Sequence, residues 1–176
     1  MLTPILAVIA VVLVLLVVFI ASRPSQFTVT RSATMSAPPS AIYPLVNDFH
    51  EWTKWSPWEH RDPNLKRTYE GPAAGTGAVY KWLGDRNVGE GMMRITESRP
   101  GELIRIHLEF IKPFKAINTT EFAFQPNGGQ TNVVWTMNGN NNFLAKTMSL
   151  FMNMDKMIGG DFEKGLADMK AVAEKP

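Results

Sequence analysis

The sequence predicts an α+β fold: one twisted antiparallel sheet of seven strands, two short helices after the first strand, and a long C-terminal helix. A transmembrane helix precedes this domain. Three observations carry the prediction, namely an apolar N-terminal stretch, a succession of short alternating segments, and an apolar stripe near the C-terminus. A period of two indicates strands, whereas spacings of three and four indicate an amphipathic helix.

The composition limits the classes of function. The 176 residues include 18 basic and 16 acidic side chains, with a net charge of +2 and no basic run, which argues against nucleic-acid binding. With 0 cysteines, disulfides and thiolate metal sites are excluded. Every charged residue lies after position 22, so we divide the chain into an anchor (1–22), a linker (23–26) and one ligand-binding domain (27–176).

The N-terminal segment has the length of a membrane span. Ile5–Ala21 is apolar throughout, and with residues 2–4 the segment reaches about 20 residues, enough to cross a ~30 Å hydrocarbon layer. A cleaved signal peptide is the alternative, but no basic residue precedes the run and Phe19-Ile20-Ala21 is a poor cleavage site. Arg23 and Arg31 follow the span, so the positive-inside tendency places the domain on the cytoplasmic side.

The first elements of the domain are a strand and two short helices. Alternation predicts a strand over 27–35, and apolar residues at helical spacing predict a helix over about 38–46. Asp48 and Glu51 have the spacing of a capping box, which would open a second short helix ending before Pro57. This helix would place Trp52 and Trp55 one turn apart on one face.

Six further strands are predicted, separated by Gly, Pro and Asn turn signals. Connections this short imply antiparallel neighbours. The segments are 65–71, 76–83, 88–97, 102–111, 115–125 and 130–139.

Alternation within these strands also predicts which side chains face inward. In the fourth of the six, Ile104, Ile106, Leu108 and Phe110 would share one face, while Arg105, His107 and Glu109 share the other. Other inward positions are Tyr80, Trp82, Met93, Ile95, Phe122, Phe124, Val133, Trp135 and Met137.

Two polar residues, Asn118 and Thr120, are in register with this inner face. A buried amide or hydroxyl must find a partner or cost a few kcal/mol. They either bond locally or near an open rim, or they orient a polar group of a bound ligand.

An apolar stripe predicts one long C-terminal helix that packs against the sheet. Gly159-Gly160 would kink or break it, and Gly165 would leave space beneath it. The stripe consists of Leu144, Met148, Phe151, Met154, Ile158, Phe162, Leu166, Met169 and Val172.

No pattern of catalytic or metal-binding residues is present. His50, His60 and His107 are scattered, and neither a metal-ligand motif nor a nucleophile motif occurs. The sequence therefore predicts no catalytic residue, no metal and no cofactor.

Several motifs together resemble the START-related SRPBCC superfamily, and within it the bacterial polyketide cyclase/dehydrase-like branch. They are Ala37-Pro38-Pro39 after the first strand, DFHEWTKWSPW, the GEGMMRI strand, the strand at 131–137 and the ending DFEKGLADMK, covering about residues 27–174. The resemblance implies a helix-grip fold, in which a curved sheet wraps around the long helix. It also implies a hydrophobic cavity between sheet and helix for lipids, polyketides or other apolar molecules, but it does not imply catalysis.

We therefore expect a membrane-anchored binder of a hydrophobic small molecule or lipid, held in the membrane by residues 2–21. Two alternatives stay open: a cyclase/dehydrase-like enzyme using Tyr80, Asn118, Thr120 and Arg31, and a protein-interaction scaffold. The expected ligand-binding residues are Trp55, Trp58, Tyr80, Trp82, Met93, Leu108, Phe110, Asn118, Thr120, Phe122, Trp135, Met137 and Phe162.

Overall fold

A computed structural model describes residues 2–150 and 153–175, and it has the α+β architecture that the sequence predicts. The helices are α1 (Leu2–Ser22), α2 (Pro39–Asn47), a 3-10 helix (Phe49–Lys54), α3 (Phe143–Met148) and α4 (Met154–Ala173). The strands are β1 (Gln26–Met35), β2 (Lys66–Glu70), β3 (Val79–Leu83), β4 (Glu90–Arg99), β5 (Leu103–Lys112), β6 (Ala116–Asn127) and β7 (Gln130–Asn140).

The seven strands form one open, entirely antiparallel sheet in the order β1-β7-β6-β5-β4-β3-β2. Each strand from β2 to β6 pairs with the next along the chain, as the short turns predict. β1 pairs with β7 and forms the edge of the sheet opposite β2, and α4 packs along β1.

The pairing register brings one set of strand ends together at the same end of the sheet. Gln26 lies opposite Asn140, Asn118 opposite Gly139, and Glu90 opposite both Lys112 and Leu83. We call this end of the sheet the anchor end, because the chain that leaves α1 enters β1 there. There the backbone N–H of Asn141 donates to the carbonyl of Ser25 at 2.6 Å.

The tryptophan-rich segment attaches α2 to the sheet. Two indoles donate to carbonyls at the end of α2: Trp52, in the 3-10 helix, to Val46 at 3.0 Å, and Trp55, directly after it, to Leu45 at 2.7 Å. Their ring centroids are 4.7 Å apart, so the two tryptophans lie together as predicted. The capping box is not formed, since the Asp48 side chain accepts from the His50 N–H while Glu51 pairs with Lys54.

The C-terminal stripe forms two helices rather than one. Asn142 caps α3 by accepting from the Ala145 N–H at 2.9 Å, and Asn153 caps α4 by accepting from the Lys156 N–H at 2.9 Å. Such caps stabilise new helix starts, so α3 ends at Met148 and α4 begins at Met154. α4 continues through Gly159-Gly160 without a break. Phe151, a member of the predicted stripe, lies outside the described residues.

Gly159 instead makes room for a side chain from β1. The Arg31 guanidinium lies across it, with Nη2 3.0 Å from Asp155 Oδ2 and Nε 2.7 Å from Glu163 Oε1. A Cβ on Gly159 would be 1.9 Å from Nη2. The hydrogen bond to Asp155, followed by that to Glu163, raises the pKa of Arg31 above its ordinary value. Arg31 therefore holds α4 to the edge strand.

Candidate ligand-binding cavity

A cavity of about 640 Å³ lies between the inner face of the sheet, the start of α4 and the loop after the 3-10 helix, and it opens at the anchor end. Its wall is mostly apolar. Among the residues expected from the sequence, those lining it are Trp58, Tyr80, Trp82, Met93, Leu108, Phe110, Asn118, Thr120, Trp135, Met137 and Phe162.

Trp55 and Phe122, also expected at the wall, pack in the solid part of the core. They are only 1% and 0% exposed, and their ring centroids are 6.0 Å apart in an edge-to-face contact. Both face inward as predicted, but neither lines the cavity. Alternation identifies the face of a side chain and not its depth, so the sequence could not separate these two from the wall.

Other wall residues were not anticipated, because they come from turns, helix ends and the start of a strand. Phe27 begins β1, Phe114 lies in the β5–β6 turn, and Met157 lies in the first turns of α4. Glu59 is the most informative of them, since it is a carboxylate that is only 5% exposed. Its position directly after Trp58 was the one available signal.

Three aromatic rings of the wall lie against glycines. A Cβ on Gly91 would be 2.3 Å from the Trp82 ring, and one on Gly139 would be 2.6 Å from the Phe27 ring. On α4, a Cβ on Gly165 would be 2.9 Å from Trp135, which confirms the space expected under the helix. The absence of a Cβ at these three positions leaves room for the rings.

The two inward polar residues of β6 have different surroundings. Thr120 is satisfied within the protein, because its Oγ1 donates to the Thr136 carbonyl at 3.1 Å and accepts from Trp135 Nε1 at 2.8 Å. The buried amide of Asn118 lines the cavity and has no hydrogen-bond partner in the described part of the chain. Local bonding thus explains Thr120, and Asn118 keeps its donors and acceptor for the cavity.

A polar cluster of Glu59, Tyr80 and Arg67 occupies the other side of the wall. The Tyr80 hydroxyl donates to Glu59 Oε1 at 2.5 Å, and Arg67 Nε donates to Glu59 Oε2 at 2.6 Å. Burial, and then the hydrogen bond to Glu59, raises the pKa of Tyr80, so the phenol keeps its proton. Both carboxylate oxygens are therefore engaged by the protein itself.

Arg31, the remaining polar candidate, does not line the cavity and is bound to α4. The described residues contain no group of three or more His, Asp or Glu side chains that could hold a metal ion. The wall therefore offers shape, apolar surface and a few hydrogen-bonding groups.

The N-terminal helix contacts the domain beside the cavity opening. Pro4–Ser22 is long and apolar enough to cross a membrane, a property that signal sequences share. Its last turn packs on α3, where Ile20 is buried and Lys146 Nζ donates to the Ala21 carbonyl at 3.1 Å.

Comparison with known proteins identifies a family and a fold. The family model described as polyketide cyclase / dehydrase and lipid transport matches residues 26–174. No curated protein matches the sequence.

Solved structures with the same fold include protein CV1439 from Chromobacterium violaceum, with a TM-score of 0.62 and 18% identity over 85% of this chain and 98% of that one. The di-domain ARO/CYC BexL of the BE-7585A biosynthetic pathway matches with a TM-score of 0.63 and 13% identity, over 89% of this chain and 53% of BexL. The Aha1 dimer from Colwellia psychrerythraea matches with a TM-score of 0.57 and 18% identity, over 84% and 96%. Identities this low show a shared fold alone.

Proposed function

We propose, on the premise that this chain belongs to the polyketide cyclase/dehydrase and lipid transport family, that it binds a hydrophobic small molecule or lipid without catalysis. The ligand would occupy the cavity between the sheet and α4, and α1 would anchor the domain to a membrane. The family and the fold support hydrophobic ligand binding, and the anchor and the absence of catalysis are our own inferences.

The observation that carries this proposal is the cavity itself. Its volume of about 640 Å³ falls within the ~300–1,000 Å³ of small-molecule sites. Methionines line it at several heights, among them Met93, Met137 and Met148. Their flexible thioethers suit a ligand whose shape varies, such as a lipid chain.

Asn118 indicates that the ligand carries a polar group. The residue is only 6% exposed, and its amide faces the cavity without a hydrogen-bond partner in the described part of the chain. A carbonyl, hydroxyl or carboxyl group on an otherwise apolar ligand would satisfy it. Ser56, a second buried polar residue of the wall, offers a hydroxyl for the same purpose.

A cyclase- or dehydrase-type enzyme is the second candidate, and the buried carboxylate of Glu59 in the wall favours it. We rank it lower because Tyr80 and Arg67 occupy both carboxylate oxygens, and because the raised pKa of Tyr80 makes the phenol a weak acid. The phenol therefore does not release its proton near neutral pH.

We place the domain on the cytoplasmic side. Arg23 follows the span directly, whereas the ion pairs of Arg31 within the domain reduce its weight as a topology signal. A reporter fused to the C-terminus tests this placement, and activity of an export-dependent reporter would contradict it.

The binding proposal is tested by native mass spectrometry of the full chain in detergent, followed by extraction of the co-purified molecule. Leu108→Trp would place an indole in the cavity, and His107→Trp adds the same indole on the outer face of the same strand. We expect the first variant to lose at least tenfold in bound ligand and the second to keep it. Equal occupancy in both, or no ligand in the wild type, would contradict the proposal.

The catalytic alternative is tested by incubating the protein with the extracted compound and looking for product. No turnover is expected. Product formed by the wild type and lost in Glu59→Gln would establish the enzyme instead.

A further inference from the structure

The rim of the cavity carries large apolar side chains that face water. Phe114, Leu144 and Met157 line the cavity, yet they are 54%, 47% and 47% exposed. They come from the β5–β6 turn, from α3 and from the start of α4, so three separate elements bring them to one opening. Exposed apolar residues that converge in this way mark an interaction site.

The same opening lies close to the end of α1. Phe27 lines the cavity and follows Ser22 by a link that extends to at most about 18 Å. β5, which leads into Phe114, lies only three strand spacings of about 4.8 Å each from β1. If α1 spans a bilayer, the chain length alone holds the rim near the surface of that bilayer.

Basic side chains surround the apolar rim. Arg86 and Lys115 line the opening and form no ion pair within the described residues, while Lys112 pairs with Glu90 at 2.7 Å. A basic residue close to an anionic bilayer surface contributes about 1 kcal/mol of attraction. The rim thus combines apolar and basic groups, the pattern of interfacial membrane-binding segments.

We propose that this rim is a docking surface for the anionic bilayer that α1 spans. Phe114 and Leu144 insert among the lipid headgroups, and Arg86 and Lys115 contact their phosphates, so that the cavity opens into the bilayer. The proposal rests on the anchor and cavity of the proposed function, and it adds that the ligand reaches the cavity from the membrane without crossing water.

The test uses single cysteines, since the natural chain has none. Phe114→Cys and Ile117→Cys are each labelled with NBD in the full chain, reconstituted into vesicles of phosphatidylcholine and phosphatidylserine. Ile117 is a matched control, because it is 61% exposed, three positions further on, and lies on the opposite face of β6 from Asn118. Spin-labelled lipid and aqueous iodide are the two quenchers.

We expect lipid quenching of the label at 114 and iodide quenching of the label at 117. Leu144→Cys, on a different element, should behave like position 114. Arg86→Glu combined with Lys115→Glu should reduce the lipid quenching at 114 by at least half. Iodide quenching of the labels at both 114 and 144 would overturn the proposal.

Native mass spectrometry of the same samples separates this inference from the binding proposal. Bound ligand with both rim labels in water would refute the docking surface and leave ligand binding in place. Rim labels in the bilayer with no ligand in the wild type would support docking and refute ligand binding.

Discussion

The contrast between Thr120 and Asn118 gives the sharpest prediction about the cavity wall. Replacing Thr120 by Val removes the acceptor of the Trp135 N–H, which is buried and has no other partner within the described chain. Leaving such a donor unpaired costs about 1–3 kcal/mol. For a chain of this size, a loss of about 2 kcal/mol lowers Tm by roughly 4–8 °C.

Replacing Asn118 by Leu should have the opposite or no effect. Its amide has no hydrogen-bond partner among residues 2–150 and 153–175, so the substitution breaks no hydrogen bond seen there and adds apolar surface to an apolar wall. We expect Asn118→Leu to melt at or above the wild-type Tm. The same substitution should weaken retention of a ligand that carries a polar group.

The Tm of both variants is measured by thermal unfolding of the full chain in detergent, with tryptophan fluorescence as the signal. Thr120→Ser is the control, because it keeps the hydroxyl and loses one methyl group, worth about 1 kcal/mol. A Thr120→Val protein that melts like the wild type would refute the role given to the hydroxyl. An Asn118→Leu protein that loses as much as Thr120→Val would show that the amide already has a partner.

Three further predictions concern the helix, the core and the pH response. Gly160→Ala should raise Tm by about 2–4 °C through helix propensity, since a Cβ there meets nothing within 4 Å. Gly159→Ala should have a lower Tm than Gly160→Ala, because its methyl group displaces Arg31. Phe122→Ala should lower the free energy of unfolding, measured by urea denaturation, by about 3–5 kcal/mol. A decrease under about 1 kcal/mol would contradict the place of Phe122 in the solid core. The pKa of Tyr80 is raised above its ordinary 10.0, so its stabilising contribution is complete below pH 10 and is lost as the pH rises further. Tyr80→Phe should therefore show a shallower alkaline loss of Tm, and parallel curves for the two proteins would contradict this.

The sheet was predictable because its signals are local. Alternation in Ile104, Ile106 and Leu108 identified the inner face, and glycine and proline turns identified antiparallel neighbours. Strand ends shifted by up to three residues at Val79, since the residues before it form a turn that pairs irregularly.

The break between α3 and α4 was not predictable from the periodicity. The apolar stripe continues across it, and only the side chains of Asn142 and Asn153 mark the new helix starts. Paired glycines were the stronger signal of a break. The position of Arg31 over Gly159 shows that one of them serves close packing, a contact between elements that are distant in sequence.

The cavity site was predictable by face and not by depth. Trp58 and Trp55 are three positions apart with the same composition around them, yet one lines the cavity and the other is in the core. That difference depends on contacts with other elements, such as the hydrogen bond from the Trp55 indole to the Leu45 carbonyl of α2. The hydrogen-bond partners of Glu59 were beyond prediction for the same reason, because Arg67 and Tyr80 reach it from two strands.

The rings that lie over Gly91, Gly139 and Gly165 have a consequence for how much the protein can hold. Room inside a protein usually comes from small side chains at the wall, but here large aromatic groups are set back by the bare backbone opposite them. The interior can therefore be both wide and rich in polarisable surface. The volume available to a ligand therefore depends on three positions where glycine has a hydrogen atom and any other residue would have a Cβ.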